Sequence, residues 1–281
     1  MIKLEVPLYP EVLLFNLEKH CQVWAHVNRL EDYAYDVKLG DKLVLPPGHL
    51  ELVNILVQRD RAEITDIISG KAGGSIVLCS GKPRTGKTLT AEVFAEVMRR
   101  PLYVVQSAQL GTQVGELKSE LCRVLARAFR WGAILLIDEA DVFIHERGDD
   151  MVQNAVVGVF LRVLEYYQGV LFLTTNRDTI VDDAVVSRCT AQVRFPIPSS
   201  GDQARIWRIL ADLSGVVISD AEVRAFAKKF EGLSGRDVKR VLKLANMIAK
   251  QRKEKVTAKL LEYVLQFKPT AISMAEGSRP E

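Results

Sequence analysis

The sequence is poor in cysteine. Four occur in 281 residues, none in a CxxC pair and none with a histidine at metal-ligand spacing. A disulfide framework needs paired cysteines in a short chain, and a zinc site needs clustered Cys or His ligands. Both are therefore excluded as organising features, and we expect four reduced thiols at Cys21, Cys79, Cys122 and Cys189.

Charge of one sign and long apolar runs are also scarce. The 38 Lys and Arg residues exceed the 35 Asp and Glu residues by 3, so attraction to nucleic acid or to an anionic membrane requires a local patch. No window approaches the roughly 18 apolar residues of a membrane span, and the opening MIKLEVPLYPEV lacks the apolar core of a signal peptide. We therefore expect a cytoplasmic protein with no membrane association.

Apolar runs alternate with helical periodicity from residue 70 to residue 194. With 48% hydrophobic residues, the chain can build a sizeable core. This alternation predicts an α/β fold, a parallel sheet covered by helices on both faces in a Rossmann-like αβα arrangement. The predicted strands are 75–79, 102–105, 133–137, 170–174 and 192–195, and the predicted helices are 88–100, 116–131 and 152–167.

A linker follows this region at Pro196 and Pro198, which precede a Ser-Ser-Gly run. Beyond it the periodicity is helical only, at 202–213, 220–230, 235–251 and 257–267, with Ser219 and Ser234 as predicted N-caps. The predicted organisation is an N-terminal segment without an assigned fold (1–29), an αβα domain (30–198), a small α-helical lid (199–268) and a disordered tail (269–281).

A glycine-rich loop follows the first predicted strand and opens the first predicted helix. Its sequence, GKPRTGKT at 81–88, matches the P-loop pattern GxxxxGK[ST]. Backbone N–H groups of such a loop wrap phosphate oxygens, Lys87 offers a positive charge to the outer phosphates, and Thr88 offers a hydroxyl to Mg²⁺. The loop predicts an ATP/ADP site with Mg²⁺, formed by Gly81, Lys82, Pro83, Arg84, Thr85, Gly86, Lys87, Thr88 and Leu89.

Two adjacent carboxylates, Asp138 and Glu139, end the apolar strand at 133–137. Open parallel sheets bind their ligands at this carboxyl edge. A metal-bound carboxylate is a poor proton acceptor, so the metal ligand and the hydrolytic base need to be separate groups. We therefore expect Asp138 to share the Mg²⁺ shell with Thr88, and Glu139 to polarise the attacking water.

Two further polar residues follow in the chain. Asn176 ends the next strand, where its amide either faces water and the γ-phosphate or serves only as a turn residue. Arg188 comes later, too far around a simple sheet to reach its own nucleotide. It either projects as an arginine finger toward a neighbouring subunit or forms a surface salt bridge.

These segments together resemble the AAA+ ATPases. GKPRTGKT, LLIDEAD, TTNR, SRC and LSGRD occur in the order and spacing of the two Walker motifs, first sensor, finger and second sensor of that superfamily. The resemblance covers residues 33–267. A narrower resemblance is to a largely uncharacterised group of fungal and bacterial AAA proteins, over segments such as NAVVGVFLRVLEYYQGVLFLTTNR.

The resemblance implies an Mg²⁺-dependent ATPase that remodels a protein client. It also implies a ring of identical subunits, usually a hexamer, with active sites between neighbours. Carried over by position, Lys87 and Thr88 bind phosphate and magnesium, and Asp138 and Glu139 form the Walker B pair. The remaining assignments are sensor one at Asn176, the finger at Arg188, sensor two at Arg236, and the start of the adenine pocket at Asp66, Ile67 and Ile68.

Three positions depart from the family pattern. Lys82 and Arg84 replace a Pro and a Gly of the phosphate loop, and Gln113 replaces the pore-loop aromatic. If the replaced glycine adopts a positive φ, Arg84 costs about 1 kcal/mol there. Without an aromatic grip, threading of a polypeptide is less well supported than ATP hydrolysis.

Two other functions stay open. Ser187-Arg188-Cys189 resembles the finger of clamp loaders, which suggests a nucleic-acid machine, although the basic lid face around Lys239 lacks interleaved aromatics. Lys82 and Arg84 suggest a nucleotide-gated scaffold with slow turnover.

Overall fold

The computed structural model describes residues 9–45, 48, 49, 51, 55, 74–111, 113–176, 181–230 and 232–267. A five-stranded parallel sheet lies at the centre of this part of the chain. The strands are β3 (Ser75–Gly81), β4 (Leu102–Gln106), β5 (Ile134–Asp138), β6 (Val170–Thr175) and β7 (Ala191–Phe195). The strand order is β4-β5-β6-β3-β7, and every neighbouring pair is parallel. The carboxyl ends of β3, β5 and β6 therefore meet at one edge.

Helices cover both faces of this sheet. Alternate residues of β3 point to opposite sides: Ile76 and Leu78 belong to one apolar cluster, Val77 and Cys79 to the other. The helices are α1 (Lys87–Val97), α2 (Val114–Arg130), α3 (Asp141–Ile144), α4 (Met151–Leu164) and α5 (Asp183–Val186). Helices α2 and α4 supply the first cluster and α1 the second, which confirms the predicted αβα fold.

Four helices follow β7 and enclose a core of their own. Trp207 is completely buried at its centre and stacks on Phe226 at 5.5 Å between ring centroids. Ser219 and Ser234 form capping boxes at the starts of two helices, which confirms both predicted N-caps. The helices, here called the lid, are α6 (Ser200–Leu213), α7 (Asp220–Lys229), α8 (Gly235–Arg252) and α9 (Ala258–Leu265). The predicted domain boundaries stay predictions, and the tail lies outside the described residues.

A β-hairpin precedes the sheet, in the segment for which the sequence predicts no fold. Its strands are β1 (Glu11–Asn16) and β2 (Cys21–His26), paired antiparallel. Phe15 packs on the rings of Trp131 and Tyr103 at centroid distances of 5.1 and 6.0 Å. The Arg127 guanidinium lies 4.9 Å from the centre of the Phe15 ring. These contacts attach the hairpin beside β4, at the edge of the sheet.

The four cysteines are free thiols. Cys79 is buried and Cys189 is half-buried. Burial raises the pKa of each thiol to about 12, so both remain protonated at neutral pH. Among the described residues, no three His, Cys, Asp or Glu side chains cluster as metal ligands. Within the same ranges, no helix has both the length and the apolar content needed to cross a bilayer.

Candidate nucleotide-binding site

The phosphate loop connects β3 to α1 through two glycines with positive φ. Gly81 has φ 149°, and a Cβ atom there would lie 2.4 Å from the Phe195 carbonyl oxygen, so only glycine fits beside β7. Gly86 has φ 106° and is the N-cap of α1. It has no side chain to cap the first-turn N–H groups, which leaves them for an anion at the positive end of the helix dipole.

Lys87 places its ammonium group inside this loop. Its Nζ donates hydrogen bonds to the carbonyl oxygens of Gly81 at 2.7 Å and of Lys82 at 2.8 Å. The residue is only 6% exposed, whereas Lys82 is exposed. The loop therefore surrounds a fixed positive charge, as binding of phosphate requires.

Asp138 and Thr88 bring oxygen atoms together at the mouth of the loop. Thr88 Oγ1 donates to Asp138 Oδ1 at 3.0 Å. Mg²⁺ prefers oxygen ligands and is commonly bound by one or two protein oxygens, waters and the phosphates of its substrate. A hydroxyl beside a carboxylate at a phosphate loop fits this ion, so Thr88 and Asp138 are the residues that would hold it.

Thr174, at the end of β6, is a site residue that the sequence patterns did not indicate. Its Oγ1 donates to Asp138 Oδ1 at 2.5 Å and accepts the backbone N–H of Glu139 at 3.0 Å. Glu139 has φ 55°, a left-handed conformation that is uncommon outside glycine and concentrates at functional sites. One buried hydroxyl thus holds the Asp138 side chain and the backbone of residue 139. Its only signal in the sequence is its place two residues before Asn176.

Replacing Thr174 by Val is expected to lower ATP turnover about tenfold, because Asp138 loses a donor and the Glu139 N–H loses its acceptor in a water-poor position. Steady-state phosphate release checks this. Thr175→Val is the matched control, since that hydroxyl bonds Asp141 instead. A Thr174→Val protein with the turnover of the control would show that the hydroxyl does not orient the pair.

Asn176 directly follows β6, between the strands that carry the loop and the carboxylates. Ser80 is paired with Thr175, and Ile137 with Leu173, so Asn176 lies level with the end of β3 and beyond the end of β5. Its side chain is half-buried. This position agrees with a sensor at the γ-phosphate, which stays a prediction.

Arg188 contacts its own chain. Its Nη1 donates to the Ala184 carbonyl oxygen at 3.0 Å, and its Nη2 lies 3.8 Å from Glu165 Oε2. The salt bridge left open by the sequence is therefore present. Within the described part of the chain, Arg188 Nε is buried without a hydrogen-bond partner. The finger role toward a neighbouring copy stays a prediction.

Asp182 fixes the segment that leads to Arg188. It caps α5 by accepting the Ala184 N–H at 2.8 Å and binds the Arg147 guanidinium through Nε at 2.7 Å. Burial alone raises the pKa of the Asp182 carboxyl, but the hydrogen bonds from Arg147 and Ala184 outweigh it and lower the pKa below its usual value. The aspartate is therefore ionised at neutral pH, and α5 begins at a fixed point.

Arg236 lies near the start of α8, close enough to the site for its charge to be felt at α1. Burial raises the pKa of Glu92, and the negative charge of Asp138 adds to that rise, while Arg236 and Lys239 oppose it. Glu92 is one helical turn beyond Thr88. The charge of Arg236 therefore acts on a residue one turn from Thr88, and its role as second sensor stays a prediction. The predicted adenine-pocket residues Asp66, Ile67 and Ile68 lie outside the described residues.

The departures from the family pattern also have structural consequences. Arg84 has φ 69°, as expected if a residue there must take the conformation of the replaced glycine. Its guanidinium lies 3.6 Å from Asp237 of α8, measured from Nη1 to Oδ1. Gln113 is the N-cap of α2 and makes no side-chain capping bond.

Comparison with known proteins finds similarity over this region. Residues 77–197 match the family described as "ATPase family associated with various cellular activities (AAA)". A putative 26S proteasome regulatory subunit homolog of Methanothermobacter marburgensis is 30% identical over 202 residues, 68% of this chain and 54% of the relative. The katanin p60 ATPase-containing A-like 1 subunit of Danio rerio is 28% identical over 194 residues, 63% of this chain and 39% of the relative.

A third relative is the ATP-dependent zinc metalloprotease FtsH 3 of Sphaerobacter thermophilus, 29% identical over 187 residues, 63% of this chain and 38% of the relative. The chain thus spans about half or less of the length of these curated relatives. The narrower resemblance to a fungal and bacterial group stays a prediction. The region that holds the sheet and the phosphate loop, residues 77–197, is thus similar to the ATPase domains of the AAA family.

Proposed function

We propose that this chain is an Mg²⁺-dependent ATPase that converts ATP and water into ADP and phosphate. The observation that carries the proposal is the cluster of Thr88, Asp138, Thr174 and Glu139 beside the phosphate loop. In this proposal the Thr88 hydroxyl and the Asp138 carboxylate supply oxygen ligands for a metal, and Glu139 supplies a separate carboxylate for proton transfer. The proposed coupling of turnover to remodelling of a protein partner draws on the family and on nothing in the site itself.

The proposed mechanism assigns each group one task. The loop N–H groups and Lys87 bind the phosphates, and Thr88 with Asp138 holds the metal. Mg²⁺, when bound, neutralises charge on the phosphate oxygens. Glu139 accepts a proton from the attacking water at its carboxylate, and Asn176 donates its amide toward the water or the γ-phosphate. Thr174 bonds the side chain of Asp138 but only the backbone N–H of Glu139. The Glu139 carboxylate is therefore not engaged by this threonine.

We also propose that several copies form a ring, as a hexamer, in which Arg188 completes the site of a neighbour. Two of the relatives bear names of subunits, a proteasome regulatory subunit homolog and a katanin subunit, which supports assembly. The Arg188 side chain is 34% exposed and its Nε is buried without a partner in the described ranges. The exposed part of this guanidinium is suited to a phosphate supplied by another chain.

Phosphate release measured across protein concentrations tests the proposed assembly. We expect specific activity to rise with concentration and Arg188→Ala to lower it at least about a hundredfold, because arginine fingers contribute strongly to phosphoryl transfer. Glu165→Gln is the matched control, since it removes the partner of the salt bridge and leaves the guanidinium. Equal losses in both variants would reduce Arg188 to a structural residue.

Mixing two inactive variants gives a second readout of the same point. Arg188→Ala retains Glu139, and Glu139→Gln retains Arg188, so mixed rings contain some complete sites. We expect the mixture to regain measurable turnover. Activity that is flat with concentration, together with a mixture that stays inactive, would contradict sites shared between subunits.

A further inference from the structure

Arg84 joins the phosphate loop to the lid. Its Nη1 atom lies 3.6 Å from Oδ1 of Asp237, in the first turn of α8. The Arg84 side chain is 47% exposed, whereas that of Asp237 is 5% exposed. A carboxylate this deeply buried is screened little by solvent, so a facing guanidinium stabilises its charge.

The backbone of Arg84 adopts a left-handed conformation, which is unfavourable for residues other than glycine. Its φ of 69° belongs to the left-handed region, which glycine adopts without steric cost. Arginine at this position keeps the same backbone and adds a side chain long enough to leave the loop. The loop therefore bears a strained residue whose charged end reaches another part of the fold.

Asp237 uses its two oxygen atoms differently. Oδ2 accepts the Ser234 N–H at 3.2 Å and the Ser234 hydroxyl at 2.7 Å, which completes the capping box of α8. Oδ1 is the atom that faces Arg84. Asp237 also follows Arg236, the predicted second sensor, directly in the chain. A displacement of Asp237 therefore moves the first turn of α8, which includes Arg236.

We propose that Arg84 is a positioning residue that ties the phosphate loop to α8 through Asp237, so that lid position and loop conformation change together. The inference rests on the proposed function in that nucleotide binds at the loop. It assigns Arg84 a role through the lid and not as a direct phosphate contact. We then expect bound nucleotide to dissociate faster when the contact between Arg84 and Asp237 is removed.

A double-mutant cycle tests the proposed contact between Arg84 and Asp237, with the dissociation rate of fluorescent mant-ADP as the measured quantity. Arg84→Gly removes the guanidinium and suits the positive φ, and Asp237→Asn keeps a capping acceptor but removes the charge. We expect each single variant to speed dissociation about threefold to fivefold, the range of a partly exposed ion pair. The double variant is expected to dissociate no faster than either single variant, because all three lack the same contact.

A direct contact between Arg84 and phosphate gives a different pattern. Arg84→Gly would then speed dissociation while Asp237→Asn left it unchanged or slowed it, because the freed guanidinium would turn to the nucleotide. Additive effects in the double variant would likewise overturn the proposed tie.

Hydrogen exchange without nucleotide separates this inference from the proposed function. Arg84→Gly leaves the Ser234 capping box intact, yet we expect the amides of residues 237–241 to exchange about threefold faster once α8 loses its tie. Unchanged exchange at these amides would overturn the tie. If the native chain failed to bind mant-ADP, the proposed function would fail, while the exchange experiment would still decide whether Arg84 holds α8.

Discussion

Glu139→Gln is expected to lower ATP turnover at least about a hundredfold, the usual contribution of a general base. Glutamine has nearly the same shape as glutamate but cannot accept the water proton. The backbone N–H of residue 139 is held by Thr174, so we expect the substitution to keep the left-handed backbone conformation of residue 139. Phosphate release measures turnover, and equilibrium titration with ATP is expected to give an affinity within about threefold of the native value, because the phosphate contacts are untouched.

Glu146→Gln is the matched control, an exposed glutamate a short distance further along the chain. We expect it to keep native turnover. If Glu139→Gln retained more than about a tenth of native turnover, general-base catalysis by Glu139 would be wrong. The slow-turnover scaffold suggested by Lys82 and Arg84 would then explain the chain better.

Lys87→Ala is expected to weaken ATP binding at least about thirtyfold, because it removes a charge-assisted contact to phosphate and two hydrogen bonds that hold the loop. The carbonyl of the buried Gly81 would lose its donor. Titration with fluorescent mant-ATP measures the loss, and circular dichroism establishes that the variant is folded.

Lys82→Ala provides the comparison within the same loop. It removes an equal charge from an exposed position, where solvent and salt screen the interaction with a phosphate. We expect a loss at least several-fold smaller than that of Lys87→Ala. Equal losses would mean that the loop binds ATP through its net charge, and that the buried geometry of Lys87 has no special role.

The sheet and the lid helices could be predicted from sequence because their patterns are local. The apolar run of strand β5 is followed by two carboxylates. The N-cap of α8 is Ser234, and Asp237 three residues later accepts the reciprocal capping bond. Parallel strands end at one edge, so the order of the elements alone was enough to place the loop, Asp138 and Asn176 near one another.

Three features depend on tertiary contacts and could not be predicted in this way. The hairpin turns at residues 17–20 without a glycine or Asn-Gly signal, and Phe15 gains its packing from distant Trp131. Thr174 is indistinguishable from an ordinary strand threonine until β5 is placed beside it. The contact between Arg84 and Asp237 joins residues far apart in the chain, and no periodicity reports such a pair.

The position of β3 inside the sheet affects how the protein is made. Its two partners, β6 and β7, are both synthesised after it, whereas β4 and β5 pair with each other earlier in the chain. During translation the strand that bears the phosphate loop lacks both partners until residues 170–175 have left the ribosome, and lacks one of them until residues 191–195 have followed. Long-range pairing of this kind is slow and exposes strand edges. A nascent chain stalled before residue 195 would therefore expose an incomplete sheet edge to chaperones.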